Sequence, residues 1–487
     1  MELFLNTKKR LPSFVLGLAA GLYPILFYYS QNYYLINTGR HLLFFVALFL
    51  AGPMALFTFG RLILKSKSEV FQQRVFTFLS LSCFGLFLQL CLYARLQWLF
   101  TITVLAIALL MAKYLYQQLR RVVVFQLLMA GVALLFAVPV FINQVQYSET
   151  WMDQPDAIEN VVFKKTPNIY LIQPDGYVSF SELGKGLYDI DNEAFEQFLL
   201  QKNFRSYPNA RSNYSTTLTS NASLFGMKHH YYNYGYNFSE RLDARRVILA
   251  DNPVLRILNN NKYTTHYLAE WPYLLVNNSE MGYDYCNFSA DDIPLLTQGF
   301  DAYKDVLPSL RSEINKNQEQ PHFFFIELFQ PGHIATNKIE SAGAAQEKIW
   351  WLTKLEEANV KLKAVVQLIH DKDPDALVVI LADHGGYVGL EYMRALQEKT
   401  QDRDELYSAF STLMAIKWPQ DQPPKFDSKL KTNVNLFRIL MAYLGENERY
   451  LDYLEDDGSY HIVDRKAVKG VYKYIDDAGE IVFERQN

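Results

Sequence analysis

The stretch Leu377–Gly386, LVVILADHGG, sets a carboxylate and an imidazole side by side. Asp383 offers a hard oxygen and His384 a neutral nitrogen, a pair suited to a divalent cation. Gly385 and Gly386 let the backbone turn close to whatever is bound. A second carboxylate, Asp175, ends the run NIYLIQPDGY, and a further imidazole, His333, follows HFFFIELFQPG. Between them Arg211–Met227, RSNYSTTLTSNASLFGM, is dense in hydroxyls: Ser215, Thr216, Thr217, Thr219, Ser220 and Ser223 crowd an expected helix start. A helix N-terminus favours anions such as phosphate. A hydroxyl there becomes a nucleophile if a metal lowers its pKa. The same stretch also reads as an ordinary polar loop or capped helix.

The elements that must position these groups follow from patterning. Leu377–Leu381 is a continuous β-branched apolar run, the signature of a strand buried on both faces. Asn168–Gln173 and His322–Phe329 read the same way, so Asp175, His333 and Asp383 all stand just past strand C-terminal ends. In open α/β sheets ligands bind at that edge. Helices are expected over Asn192–Leu200, Ala344–His370 and Asn433–Leu444. Arg256–Leu268 reads as a helix followed by a strand, and Leu413–Ile416 as a further strand. This alternation indicates an α/β sandwich. Tyr460–Val463, Val471–Ile475 and Ile481–Phe483 look like short antiparallel strands.

Residues 1–145 are of another kind. Leu11–Tyr29, His41–Gly60, Val75–Ala94, Leu96–Ala112 and Val122–Ile142 each lack Asp, Glu, Lys and Arg. Each approaches the ~20 residues that a helix needs to cross hydrocarbon, which predicts a bundle of five transmembrane helices. Lys8, Lys9 and Arg10, then Arg61, Lys65, Lys67 and Arg74, then Lys113, Arg120 and Arg121 alternate with loops holding only Arg40 and Arg95. By the positive-inside rule the N-terminus is inside and everything after the last span outside. Tyr29, Tyr33, Tyr34, Tyr93 and Trp98 read as interfacial aromatics. Residues 146–166, polar and acidic, are expected to be a linker, with Trp151 at the bilayer surface or in an ordinary surface loop. Residues 167–487 are expected to form an extracytoplasmic domain.

The bulk numbers exclude some classes. A formal net charge of -4 argues against nucleic acid as a partner. Cys83 and Cys91 lie in an apolar segment, leaving Cys286 as the single thiol beyond it, so neither a disulfide nor a cysteine zinc cluster forms there. The Asn213-Tyr-Ser and Asn221-Ala-Ser sequons fall in the hydroxyl-rich loop and read as chance matches.

Asp175, the hydroxyl-rich loop with Thr217, and Asp383–His384 occur in an order that resembles the alkaline phosphatase/sulfatase-like superfamily, and NIYLIQPDGY, YDIDNEAFEQFL, RSNYSTTLTSNAS, ILADHGG, NVNLFRILMAYLGEN and SYHI resemble the pattern of uncharacterised bacterial sulfatase-like membrane proteins, over roughly Asn168–His461. With the membrane part, the chain resembles lipoteichoic acid synthases, phosphoethanolamine transferases and uncharacterised bacterial sulfatase-like membrane proteins. The resemblance implies an α/β sandwich of the alkaline-phosphatase-like type. It implies Asp175, Thr217, Asp383 and His384 as ligands of one divalent ion (Mn, Mg or Zn), Thr217 doubling as nucleophile. Thr216 or Thr219 takes that role if the alignment slips. His333 matches a Pro-His pair used in substrate binding or proton transfer, although Gly332 intervenes here. Two departures matter. The C/S-x-P-x-R context of type I sulfatases is absent, and Cys286 is followed by Asn287 and Phe288, so sulfate-ester hydrolysis by that route is not expected. After His384 the next histidine is His461, which weakens the case for a second ion.

The expected activity is therefore transfer of a phospho-alcohol group from a phospholipid donor to an envelope glycan or glycolipid acceptor, through phospho-Thr217, at a bacterial inner membrane. The alternatives are a sulfatase-like phosphodiesterase or phosphatase, and a non-catalytic partner of polysaccharide assembly.

Overall fold

The computed structural model describes residues 10–32, 38–145, 148–230, 244–276, 280–316, 319–463 and 470–486. Lys8, Lys9, Tyr33, Tyr34 and the aromatic, Asn-rich stretch Tyr232–Tyr236, read from sequence as a substrate lip or a plain loop, lie outside the described residues. The chain forms two compact units, one of Met1–Tyr147 with Leu275–Ser279 and Ile293–Asp301, the other of Ser148–Leu274, Glu280–Asp292 and Ala302–Asn487.

In the first unit, four described helical stretches are long and apolar enough to cross a membrane: Ser13–Ser30, Gly39–Ser66, Glu69–Tyr93 and Tyr116–Ile142. The fifth expected span becomes the apolar helix Trp98–Tyr114, of 17 residues. At ~1.5 Å per residue it falls short of a ~30 Å hydrocarbon core, so length alone carries four spans and not the expected five. Small residues let these helices approach closely: a Cβ at Gly17 would meet Met54 Cα at 2.5 Å. Inside the bundle Ser80 Oγ donates to Gln126 Oε1 at 3.1 Å, satisfying two polar groups away from water.

The second unit is built on a seven-stranded mixed sheet. Its strands are β1 (Ile169–Pro174), β2 (Arg205–Ser206), β3 (Thr264–Ala269), β4 (Tyr285–Cys286), β5 (His322–Leu328), β6 (Leu377–Leu381) and β7 (Met414–Lys417), in the order β2-β7-β6-β1-β5-β3-β4. β1 lies between β5 and β6 and is parallel to both, with Ile169 opposite Phe323 on one side and Leu377 on the other. β1, β5 and β6 are buried along their whole length, as their mainly apolar runs lead one to expect, and with them the polar Gln173, His322 and Glu327. β7 returns antiparallel to β6. The long helix Ala344–Lys372 buries Trp351, Leu355, Leu362, Val365 and Ile369 in the same core as β1, β5 and β6.

A separate antiparallel sheet closes the chain: β8 (Ser459–Val463), β9 (Gly470–Ile475) and β10 (Ile481–Arg485). The stretch expected as a linker is packed into this unit from Ser148 onward. Trp151, Met152 and Ile158 are buried. Arg438 Nη1 donates to Asp156 Oδ2 at 2.9 Å, and Arg256 Nε to Glu159 Oε2 at 2.8 Å. Trp151 is buried within this unit rather than exposed on a surface loop. Its ring meets His230 edge-on at 5.8 Å and lies over Gly226, where a Cβ would come within 2.9 Å.

Candidate metal and phosphoryl site

Parallel pairing of β5, β1 and β6 brings their C-terminal ends to one edge, and the polar residues of that edge follow directly. Asp175 comes immediately after β1. Its N–H donates to Leu328 O and its carbonyl accepts from Gly332 N, both at 2.8 Å. Gly176 takes φ +67°, and a Cβ there would fall 2.1 Å from Gly332 O, so the close approach of the two loops requires glycine at 176. Past β6, Asp383 Oδ1 accepts from the N–H groups of Gly176 and His384 at 3.2 and 2.9 Å. His384 Nδ1 donates to Gly385 O at 2.8 Å, which leaves Nε2 as the lone-pair nitrogen.

That nitrogen faces Asp175 Oδ1 and Asp383 Oδ2, each 3.4 Å away. Candidate ligand atoms of Asp175, Asp383 and His384 lie within 4.8 Å of one another. Asp175 Oδ1 and Asp383 Oδ2 are both buried and without a hydrogen-bond partner. Two orphaned carboxylate oxygens on one imidazole nitrogen is an arrangement that a divalent cation would satisfy and that is costly without one. Withdrawal from water, and then the Asp383 charge, push the Asp175 carboxyl up to about 7. Burial disfavours charge on His384, but the neighbouring Asp383 and Asp175 carboxylates prevail and raise its pKa. Behind them Glu327, on β5, is pushed well up by burial, with Asp175 and Asp383 adding to the effect, and accepts from Tyr267 Oη at 2.6 Å.

The hydroxyl-rich stretch forms the helix Thr217–Gly226 with Thr216 as N-cap. Thr217 Oγ1 lies 3.3 Å from His384 Nε2. The hydroxyls of Thr216 and Thr219 are turned to each other at 2.7 Å instead, so of the three threonines Thr217 is the one at the carboxylate–imidazole cluster. A reciprocal amide pair, Gln173 with Asn221 at 2.8 and 2.7 Å, locks β1 to this helix. Asn213 and Asn221 are fully buried, in keeping with chance sequons.

A cavity of about 440 Å³ opens here, lined by Thr217, His333, His384, Tyr387, Arg394 and His461 among others. His333 follows the Phe329–Gly332 turn, its ring 6.0 Å from that of His384. Its Nδ1 donates to Ile334 O at 2.6 Å, and burial lowers its pKa to about 4. The structure thus brings Asp175, Thr217, His333, Asp383 and His384 to one place. Among the cavity residues that sequence reading missed are Arg394, Tyr387 and His461. Arg394 sits on the short 3-10 helix Met393–Gln397, with no pattern to flag it. Tyr387, just past the two glycines, donates to Ser215 O. His461 arrives on the C-terminal sheet, and its only signal was the SYHI segment.

The domain is an α/β sandwich whose parallel-centred mixed sheet carries carboxylates, an imidazole and a threonine helix on one edge. The chain belongs to the sulfatase family: the family profile described as Sulfatase matches residues 197–446. Similar solved structures include the integral membrane lipooligosaccharide phosphoethanolamine transferase A of Neisseria meningitidis, at 11% identity over 89% of this chain and 95% of that one, TM-score 0.41. They also include the C-terminal periplasmic domain of EptC from Escherichia coli, at 10% identity, 64% and 93% coverage, TM-score 0.40. A third is the lipoteichoic acid synthase LtaP of Listeria monocytogenes, at 15% identity, 59% and 76% coverage, TM-score 0.38. No curated protein matches the chain.

Proposed function

We propose that this protein is a membrane-anchored, metal-dependent transferase that moves a phospho-alcohol group from a phospholipid head group to an envelope glycan or glycolipid. The observation that carries this reading is the 3.3 Å approach of Thr217 Oγ1 to His384 Nε2, beside two partnerless carboxylate oxygens. A single divalent cation (Mn, Mg or Zn) held by Asp175, Thr217, Asp383 and His384 would supply positive charge to the threonine oxygen and to the phosphoryl oxygens.

The chain's own residues do the rest. Thr217 passes its hydroxyl proton to His333, which is neutral at rest and can accept it, and attacks the phosphorus of a phosphodiester in line. The bond from phosphorus to the lipid alcohol breaks, and the departing oxygen takes its electron pair and that proton from His333. The resulting phospho-Thr217 is then attacked by an acceptor hydroxyl, whose proton passes to His333, and the phosphorus–Oγ1 bond breaks as Oγ1 takes that proton back to restore Thr217. The N-terminus of the Thr217–Gly226 helix favours the transferred anion throughout.

The alternating Lys/Arg pattern supports five spans, with Trp98–Tyr114 crossing as a short helix and the catalytic unit outside a bacterial inner membrane. Full-length protein and its Thr217→Ala variant, incubated with vesicles of head-group-labelled phosphatidylethanolamine and phosphatidylglycerol, test the activity. Release should require Thr217, and retained turnover in the variant removes the mechanism. Label in an added glycolipid marks a transferase, label only in water a phosphodiesterase. Failure to bind Mn2+ or Zn2+ at all leaves a non-catalytic partner of polysaccharide assembly.

A further inference from the structure

We infer that His461 is a substrate-contacting residue of this site, a neutral hydrogen-bond donor to a non-bridging oxygen of the phosphoryl group. The inference rests on the phosphoryl-transfer reading above. His461 lies beyond the family match, which ends at residue 446, and no cation ligand is required of it. Its place is set by backbone. β8 runs alongside the segment that precedes the threonine helix: Tyr460 N donates to Asn213 O at 2.8 Å, Ser459 Oγ to Ser212 O at 2.7 Å, and Asn213 Nδ2 to Gly458 O at 2.9 Å. This register puts the His461 ring against Ser215, with Nδ1 and Ser215 Oγ 2.7 Å apart.

The opposite nitrogen, Nε2, is buried and has no hydrogen-bond partner, although His461 lines the cavity with Thr217. A buried polar nitrogen left unpaired is costly, and a ligand oxygen would relieve that. Where Ser215 Oγ–H donates to Nδ1, the ring's single proton sits on Nε2, which makes that nitrogen the donor. Burial lowers its pKa to about 4, which keeps the ring neutral. The neighbouring helix N-terminus favours an anion in the same place. Ser215 is then a positioning residue.

Titration of Mn2+-loaded, full-length protein with inorganic phosphate tests this without turnover. His461→Phe should weaken phosphate binding roughly tenfold to a hundredfold, the range of a hydrogen bond to a charged group, with Mn2+ affinity unchanged. His461→Gln restores an N–H near the Nε2 position and should stay within about threefold of the parent. Ser215→Ala, which keeps the ring, should lose a few-fold. Equal losses in the Phe and Gln variants, or no loss in either, overturn the proposal, as does loss of Mn2+ affinity in the Gln variant. The Thr217→Ala vesicle assay is independent: turnover surviving there while phosphate binding follows this pattern sinks the threonine mechanism and leaves the His461 assignment standing.

Discussion

Thr217 Oγ1 and His384 Nε2 stand 3.3 Å apart although 167 positions separate them in the chain. Neither residue's own element explains the contact. The threonine heads a helix, the histidine follows a central strand, and the Gln173–Asn221 amide pair couples that helix to the next strand over.

That pair sets the first expected outcome. Gln173→Leu or Asn221→Leu alone leaves one buried amide unpaired and should cost about 1–3 kcal/mol in denaturant unfolding. The double variant should recover part of the loss. Strict additivity would mean that the pair does not act as a unit.

The carboxylates set a pH dependence. Because the metal-free fold holds a proton on Asp175 up to about pH 7, a cation must displace that proton. Mn2+ affinity should fall about tenfold for each pH unit below 7 and level off above it. The sign for stability is opposite. A carboxyl raised above its unfolded value favours the metal-free fold at low pH, so this contribution is lost as pH rises from about 4 to about 7. A flat Mn2+ titration series between about pH 5.5 and 8 contradicts the donor set.

Gly176→Ala probes the contact between the β1 and β5 loops. The added Cβ meets Gly332 O at 2.1 Å in a backbone at φ +67°. Strain of about 1–3 kcal/mol is expected, together with weaker Mn2+ binding because Asp175 is displaced. Unchanged metal affinity would show that the loop contact does not position the ligand.

Arg438 is 1% exposed in its side chain and pairs with Asp156, 9% exposed. Removing one partner of a buried pair costs about 3–5 kcal/mol, so Arg438→Ala should be strongly destabilising by thermal melts. A near-neutral effect would make Ser148–Thr166 the loose tether that its polarity first suggests.

Much of the architecture was legible from residue order. Predominantly apolar runs announced β1, β5 and β6, because a strand covered on both faces does not alternate polar and apolar residues. Charge-free runs announced the membrane helices, since hydrocarbon excludes ions. The pairing of Asp383 with His384 was visible because both ligands sit on one turn. The membrane count was less secure: composition marks a segment as apolar, but helix length is set by where caps and turns fall around Trp98–Tyr114. The anchoring of Trp151, Met152, Ile158, Val161 and Phe163 was not legible, because acidic residues among them look solvated until Arg438 and Arg256 are seen to meet Asp156 and Glu159.

By itself the sequence determined which side chains carry chemistry and that several stand at strand ends, since type and local pattern are properties of neighbours along the chain. Only the tertiary structure decided that parallel pairing puts those ends on one edge, that Thr217 and not Thr216 or Thr219 faces His384, and that His461 joins them from the far C-terminus. Those facts depend on strand order, helix rotation and the register of β8 against Asn213, which are set by packing across the sheet and leave no trace in local spacing.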